Sequence, residues 1–127
     1  MAELIHGELS YKLIGLLYKV YNIMGSGLQE KYYQKAIAQV LRKEGIPFLE
    51  QVRTDIELGG TILGRYFLDF IIDHKLVLEI KARSYFSKRD IHQVLGYLKK
   101  SGLELGILAG FGSEGIKFKR ILRGNSR

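Results

Sequence analysis

The sequence predicts an α/β fold in which helices flank a mixed central sheet, with the element order ααβββαββ. Three stretches repeat apolar residues at intervals of three and four positions, which is typical of amphipathic helices. Five short runs are rich in β-branched and aromatic residues and are bounded by turn-forming residues, which is typical of strands. A chain of 127 residues suits one hydrophobic core, so we expect a single domain over residues 1–127.

Helices are predicted over residues 9–24, 28–44 and from about 88 to 101. Ser26 and Gln29 have the spacing of a capping box for the second helix, and Ser87 and Asp90 can cap the third. The apolar residues of each helix fall on one stripe, so all three helices are expected to pack against the sheet.

Strands are predicted over residues 48–58, 65–72, 75–82, 105–109 and 116–122. In the first strand, Val52, Ile56 and Leu58 alternate with charged residues and are expected to face the core. Gly59 and Gly60 predict a tight turn, which makes the first three strands a meander. The segment 110–115 is expected to be a glycine-rich loop, and it lacks the Lys-Ser/Thr ending of a nucleotide P-loop.

The chemistry is concentrated in the second and third strands, within the segment RYFLDFIIDHKLVLEIKAR from Arg65 to Arg83. Asp69 lies in the first of these strands, and Glu79 and Lys81 lie in the second. Because side chains alternate along a strand, Glu79 and Lys81 share one face. A carboxylate and an ammonium group are therefore presented together.

The length of the hairpin loop decides whether Asp69 joins them. A two-residue loop of Asp73 and His74 would set Asp69 opposite Leu78, on the wrong face. One more residue in the loop pairs Asp69 with Glu79 and brings their Cβ atoms to about 5 Å. We therefore predict a three-residue loop or a bulge.

Two carboxylates at that separation repel each other, which predicts a cation between them. Oxygen ligands without His or Cys favour Mg²⁺ or Mn²⁺. Charged residues on one face of a hairpin are also typical of a solvated surface. Against that interpretation, the neighbouring residues make both strands apolar on both faces, as in a buried central pair; they are Phe67, Leu68, Phe70, Ile71, Ile72, Val77, Leu78 and Ile80.

Asp69 followed by Glu79, Ile80 and Lys81 resembles the D-Xn-E-x-K signature of the PD-(D/E)XK nuclease superfamily. The segment GLQEKYY, residues 27–33, resembles the G-x-x-E-x-x-Y motif of the GxxExxY family, a branch of that superfamily. The similarity continues through residues 93–99 and 106–121. Leu68 stands where the signature has proline. The resemblance implies a three-layer restriction-endonuclease-like sandwich and a metal-dependent nuclease acting on DNA.

By this resemblance, Asp69 and Glu79 would hold Mg²⁺ or Mn²⁺, with the Ile80 backbone carbonyl as a further ligand. Glu30 would reach the metal directly or through water. Position alone also suits Glu30 to a surface role, because a carboxylate in the first turn of a helix is stabilised by the helix dipole. Lys81 would orient the attacking water or stabilise the charge that develops on the phosphate.

Gln93 with Tyr97 resembles the Q-x-x-x-Y element of recombination-type exonucleases, which lies beside the metal site. A polar rim on a packed helix would show the same spacing. We expect a basic nucleic-acid surface next to the site, drawn from Lys81, Arg83, Lys88, Arg89 and Lys99, with Tyr97 beside it.

Composition limits the classes of function. Twenty Lys and Arg against thirteen Asp and Glu give a net charge of +7, which suits a polyanionic partner. The absence of cysteine excludes disulfides and thiolate metal sites, and no stretch resembles a signal peptide or a membrane span. We expect a cytoplasmic protein that binds nucleic acid and no membrane.

Two further interpretations stay open. The chain could be a basic nucleic-acid-binding module that keeps the fold without cleaving, or a structural protein with a coincidental acidic cluster. Among nucleases, a small basic chain also suits a dimeric enzyme similar to Holliday-junction resolvases, because one domain of this size carries one active site.

Overall fold

The computed structural model describes residues 5–124, and their elements follow the predicted order. They are α1 (Gly7–Met24), α2 (Glu30–Lys43), β1 (Phe48–Leu58), β2 (Thr61–Ile72), β3 (Leu76–Lys81), α3 (Lys88–Ser101), β4 (Leu105–Gly112) and β5 (Gly115–Leu122). The predicted domain also includes residues 1–4 and 125–127, which lie outside the described part.

The five strands form one mixed sheet in the order β1-β2-β3-β4-β5. Neighbouring strands are antiparallel except β3 and β4, which are parallel. Parallel neighbours need a crossover connection, and α3 supplies it. The meander predicted for the first three strands is confirmed.

Helices cover both faces of the sheet, so the three-layer α/β architecture is confirmed. On one face, α1 and α2 pack over Leu76, Leu78 and Ile80 of β3. On the other face, α3 packs over Val77 and its neighbours. β3 is the central strand and is buried on both faces, which explains why its sequence is almost continuously apolar.

The two predicted helix caps had different outcomes. At α3 the capping box is present, with hydrogen bonds of 2.8 and 3.1 Å between Ser87 and Asp90. At α2 the prediction was wrong, because the helix begins at Glu30 and its N-cap residue Gln29 makes no side-chain bond. The connection from α1 is held instead by Tyr33, whose buried hydroxyl donates to the Gly25 carbonyl at 2.7 Å.

The hairpin of β1 and β2 extends beyond the helical layers, and β2 begins at Thr61, four residues earlier than predicted. Ile56 and Leu58, predicted to face the core, are 49% and 71% exposed, and Phe67 is 49% exposed. The alternation of apolar residues was read correctly, and α3 reaches this part of the sheet at Tyr66 and Asp55, yet Ile56 and Leu58 stay largely exposed. We call residues 53–67 the β1–β2 arm.

The predicted glycine-rich loop was also partly wrong, since Gly110 and Gly112 belong to β4. A Cβ atom at Gly110 would lie 2.4 Å from the Arg83 carbonyl oxygen, and one at Gly112 would lie 2.5 Å from the Ser84 Cβ. These glycines let the chain that leaves β3 cross closely over β4. That crossing positions Arg83 beside the end of β3.

Candidate active site

The hairpin of β2 and β3 has the predicted three-residue loop. Ile72 pairs with Leu76 across Asp73, His74 and Lys75, and the Lys75 N–H donates to the Ile72 carbonyl at 2.9 Å. Asp73 and His74 have φ of 50° and 55°, in the left-handed region that Asp and His enter more readily than most side chains do. Continued along the strands, this register sets Asp69 opposite Glu79.

Regular pairing of β2 with β3 ends at Phe70 and Leu78, and the two carboxylates bridge the strands just beyond. The Asp69 N–H donates to Glu79 Oε1 at 2.6 Å, and the Ile80 N–H donates to Asp69 Oδ2 at 2.7 Å. Each carboxylate thus accepts a bond from the opposite strand. Both residues are only 7% exposed. The prediction that Asp69 and Glu79 are neighbours is confirmed.

Burial raises the pKa of both carboxyl groups. The pKa of Asp69 rises to about 6 through burial, against the lowering effect of the Ile80 N–H and the Lys81 charge. The pKa of Glu79 rises to about 8 through burial and then through repulsion from Asp69. Together the pair retains close to one proton at neutral pH, as interacting buried carboxylates do.

Two glutamines that sequence reasoning missed surround Asp69. Gln34 of α2 donates from Nε2 to Asp69 Oδ1 at 2.7 Å. Gln51 of β1 donates to Gln34 Oε1 at 3.4 Å and also lowers the pKa of Asp69. Gln34 lies four residues after Glu30, so both fall on one face of α2, and that spacing was the available signal.

Glu30 lies within electrostatic range of the carboxylate pair, since its charge raises the pKa of both Asp69 and Glu79. Within residues 5–124, however, no three Asp, Glu or His side chains are grouped closely enough to hold a metal ion. The structure thus assembles two of the predicted metal ligands and brings the third near them. Ile80 contributes its N–H to Asp69, and the role predicted for its carbonyl stays a prediction.

The donors that are present suit a hard divalent cation. Both are buried carboxylates whose mutual repulsion a cation would relieve. Asp69 accepts amide bonds on both oxygens, whereas Glu79 Oε2 has no hydrogen-bond partner in the described chain. The residues therefore fit Mg²⁺ or Mn²⁺ chemically.

Lys81 is held by an acidic residue that the sequence indicated only as a helix cap. Lys81 Nζ lies 3.7 Å from Asp90 Oδ1, and Arg83 NH2 lies 2.8 Å from Asp90 Oδ2. Burial acts to raise the pKa of Asp90, but hydrogen bonds from Ser87 and Arg83 and the charges of Lys81 and Arg83 lower it overall. Asp90 is thus ionised and forms ion pairs with both Lys81 and Arg83.

Gln93 and Tyr97 lie on α3. No hydrogen bond joins Gln93 to Asp69 or Glu79 among the described residues. Its carbonyl accepts a bond of 2.7 Å from the Tyr66 hydroxyl. Burial and the Glu79 charge raise the pKa of Tyr66, so Tyr66 is within electrostatic range of Glu79 as well as bonded to Gln93.

The residues predicted to bind nucleic acid differ in their exposure and in the contacts that they already make. Lys88, Arg89 and Lys99 are exposed. Arg83 is engaged with Asp90, with the Tyr85 carbonyl and with the Tyr85 ring, whose centroid is 4.7 Å away. Tyr97 is half-buried beside the β1–β2 arm.

A pocket of about 970 Å³ lies away from the carboxylates. It lies between the start of α1, residues 44–47 and the loop that joins β2 to β3. None of the predicted site residues lines it, so the chemistry of the side chains, and not cavity size, identifies the site.

Comparison with known proteins places the site in context. A family model described as PD-(D/E)XK nuclease superfamily matches residues 7–121. The solved structure titled "Crystal structure of SSO0001" is similar, with 25% sequence identity, a TM-score of 0.55 and coverage of 73% of this chain. This chain spans half the length of that structure. No curated protein matches.

None of the described helices is long and apolar enough to span a membrane. Members of the matched superfamily are generally nucleases. The match extends from α1 to β5 and includes Asp69, Glu79 and Lys81. The chain therefore belongs to the PD-(D/E)XK nuclease superfamily.

Proposed function

We propose that this protein is a metal-dependent nuclease that hydrolyses phosphodiester bonds in DNA, and that it is a member of the GxxExxY branch. The observation that carries the proposal is the pair of buried carboxylates, Asp69 and Glu79, at the point where β2 and β3 separate. Superfamily members typically use divalent metals such as Mg²⁺.

Asp69 and Glu79 are the residues that would hold the metal, with Glu30 nearby. A bound divalent ion would polarise the scissile phosphate and lower the pKa of an attacking water. Gln34 fixes the orientation of Asp69 through its amide. The candidate acidic ligands would therefore come from two strands and one helix.

Lys81 supplies positive charge on the same strand as Glu79, two residues further on. In the proposed reaction its ammonium group stabilises the negative charge that develops on the phosphate oxygens. Asp90 limits the positions that Lys81 can adopt. Lys88, Arg89 and Lys99 lie exposed on α3 and provide the positive surface that attracts the phosphate backbone.

A basic binding module without cleavage is the second candidate. It explains the charge of +7, and it also fits the absence of a group of three metal ligands in residues 5–124. It does not explain why two carboxylates are buried together, because an uncompensated pair costs folding free energy.

A homodimer similar to junction resolvases would bring two such sites to opposite strands of one duplex.

A cleavage assay with labelled single-stranded and duplex DNA, in Mg²⁺ and in EDTA, tests the proposal. We expect Mg²⁺-dependent cleavage that Asp69→Asn abolishes. Asp73→Asn is the matched control, because it makes the same change on the same hairpin at a half-buried loop position whose positive φ Asn tolerates. DNA binding without cleavage in any divalent metal would favour the binding module.

A further inference from the structure

A cleft lies between the β1–β2 arm and α3. Its volume is about 730 Å³, and its walls include Thr54 and Tyr66 from the arm and Gln93 and Gly96 from the helix. We call it the arm cleft.

We propose that the arm cleft binds an unpaired nucleobase of the substrate strand. The inference deepens the proposed function, on which it rests. It predicts that the protein acts on single-stranded or locally unpaired nucleic acid.

The arm cleft and the carboxylate pair are connected along β2. Tyr66 lies three residues before Asp69 on β2, which is about 10 Å along a strand. The Tyr66 hydroxyl donates to the Gln93 carbonyl at 2.7 Å, which fixes the ring in the wall of the cleft. Burial and then the Glu79 charge raise the pKa of Tyr66, so the ring lies within electrostatic range of Glu79. A nucleotide next to one whose phosphate lies at the carboxylates can therefore place its base in the cleft.

The walls of the arm cleft offer an aromatic ring and a buried hydroxyl group. The Tyr66 ring offers a surface on which a base can stack, and such stacking tolerates any base. Thr54 is 4% exposed, and its hydroxyl is the buried side-chain polar atom that lacks a hydrogen-bond partner within residues 5–124. Buried polar groups are normally paired, so a ligand that supplies a donor or acceptor would complete this one.

Charged side chains of both signs line the arm cleft. Arg89 lines the cleft and is exposed, so it can contact a phosphate group, whereas the Lys100 ammonium group donates to the Asp55 carbonyl. The Asp55 carboxylate is paired with Arg53 at 2.8 Å. Glu57 lies three residues beyond Thr54 toward the tip of the arm, where it can accept hydrogen bonds from the amino groups of a base.

Gly96 makes the proposal testable without disturbing the fold. A Cβ atom at Gly96 would have the Tyr66 hydroxyl as its nearest neighbour, at 3.8 Å, which is ordinary contact. Replacing a glycine in a helix also favours the helix. Gly96→Leu should therefore fold and fill the cleft, and Gly15→Leu, on the exposed surface of α1, is the matched control.

The experiment measures binding of a labelled oligothymidylate, an abasic oligomer of the same length and charge, and a duplex. Fluorescence anisotropy is used in EDTA, so that the strands stay intact. We expect the wild type to bind oligothymidylate at least about tenfold more tightly than the abasic oligomer, since stacking contributes that much per base. Gly96→Leu should remove this preference and leave abasic binding unchanged, and Gly15→Leu should keep it.

Equal affinity of the wild type for the two single strands would overturn the inference. So would a base preference that survives in Gly96→Leu, or duplex binding tighter than single-strand binding. The cleavage assay separates this inference from the proposed function. Base preference without cleavage would leave the cleft assigned and refute the nuclease, whereas cleavage without base preference would do the reverse.

Discussion

Three side chains, those of Asp69, Glu79 and Lys81, have different roles in the proposed site. Burial raises the pKa of Asp69 and Glu79, and Lys81, whose charge acts to lower both, is paired with Asp90. An ion pair that only stabilised the fold would behave differently, since loss of either partner would strand a buried charge and cost about 3 to 5 kcal/mol. Substitutions at these residues can therefore separate a site from a structural contact.

Lys81→Ala and Asp69→Asn should both abolish or strongly reduce cleavage, through different steps. Asp69→Asn removes a ligand charge, so Mg²⁺ affinity should fall. Thermal stability should change little, because relief of repulsion offsets the loss of one of the two acceptor oxygens. Lys81→Ala keeps the ligands, so Mg²⁺ binding should survive while turnover falls by about 10² or more. Calorimetry, thermal melts and cleavage rates measure the three quantities. Persistent cleavage in either variant would contradict the assigned roles.

Asp90→Asn tests the role of the ion pairs that Asp90 forms with Lys81 and Arg83. Asn keeps an oxygen for the Ser87 N–H, so the cap of α3 should remain, but the charge that holds both cations is lost. We expect a loss of about 1 to 3 kcal/mol in unfolding free energy, since bonds to charged groups are lost. Turnover should fall while KM changes little, because Lys81 is no longer positioned. A fall in stability alone, with kcat unchanged, would limit Asp90 to a structural role.

The pH dependence of stability follows from the raised pKa values of Asp69 and Glu79. The folded protein holds protons on them up to about pH 6 and 8, whereas their ordinary values are 3.8 and 4.5. Between about pH 4 and 8 the folded state therefore binds more protons than the unfolded state, and stability falls as pH rises. Thermal melts in EDTA should show this fall. The double variant Asp69→Asn, Glu79→Gln should show a smaller one, and an unchanged slope would contradict the raised pKa values.

At the scale of elements, β4 and the chain after β3 depend on close backbone contact. Gly110→Ala would place a Cβ atom 2.4 Å from the Arg83 carbonyl oxygen, so we expect a loss of about 1 to 3 kcal/mol in unfolding free energy. Gly15→Ala has open space around it and should be neutral or slightly stabilising. Urea titration of both variants measures the difference. Equal stability would show that β4 can move away from Arg83 without cost.

Sequence reasoning recovered the elements and the face on which the carboxylates lie, because periodicity and turn length are local properties. The three-residue loop followed from requiring Asp69 and Glu79 to meet. Gln34 and Asp90 were missed as site residues, because their roles depend on how α2 and α3 approach the sheet. Ile56 was misplaced because alternation indicates an apolar face but not whether another layer covers it.

At the scale of the whole molecule, the charge of +7 should govern association with nucleic acid. The exposed basic residues of α3 replace counterions on the phosphate backbone, so affinity should fall steeply between low and high salt. Charge reversal at Lys88 or Arg89 should weaken binding and reduce the slope of log affinity against log salt. Anisotropy titrations over a salt series give that slope. Affinity that does not change with salt would rule out this surface.

The central claim, that Asp69 and Glu79 are one metal site, has a direct thermodynamic test. Metal binding requires ionised carboxylates, so Mg²⁺ should displace the proton that the pair retains at pH 7. Calorimetric titration of Mg²⁺ in buffers of different ionisation enthalpy counts that proton. We predict a release approaching one proton per Mg²⁺ in the wild type and its loss in Glu79→Gln. Mg²⁺ binding without proton release, or equal release in Glu79→Gln, would contradict the claim.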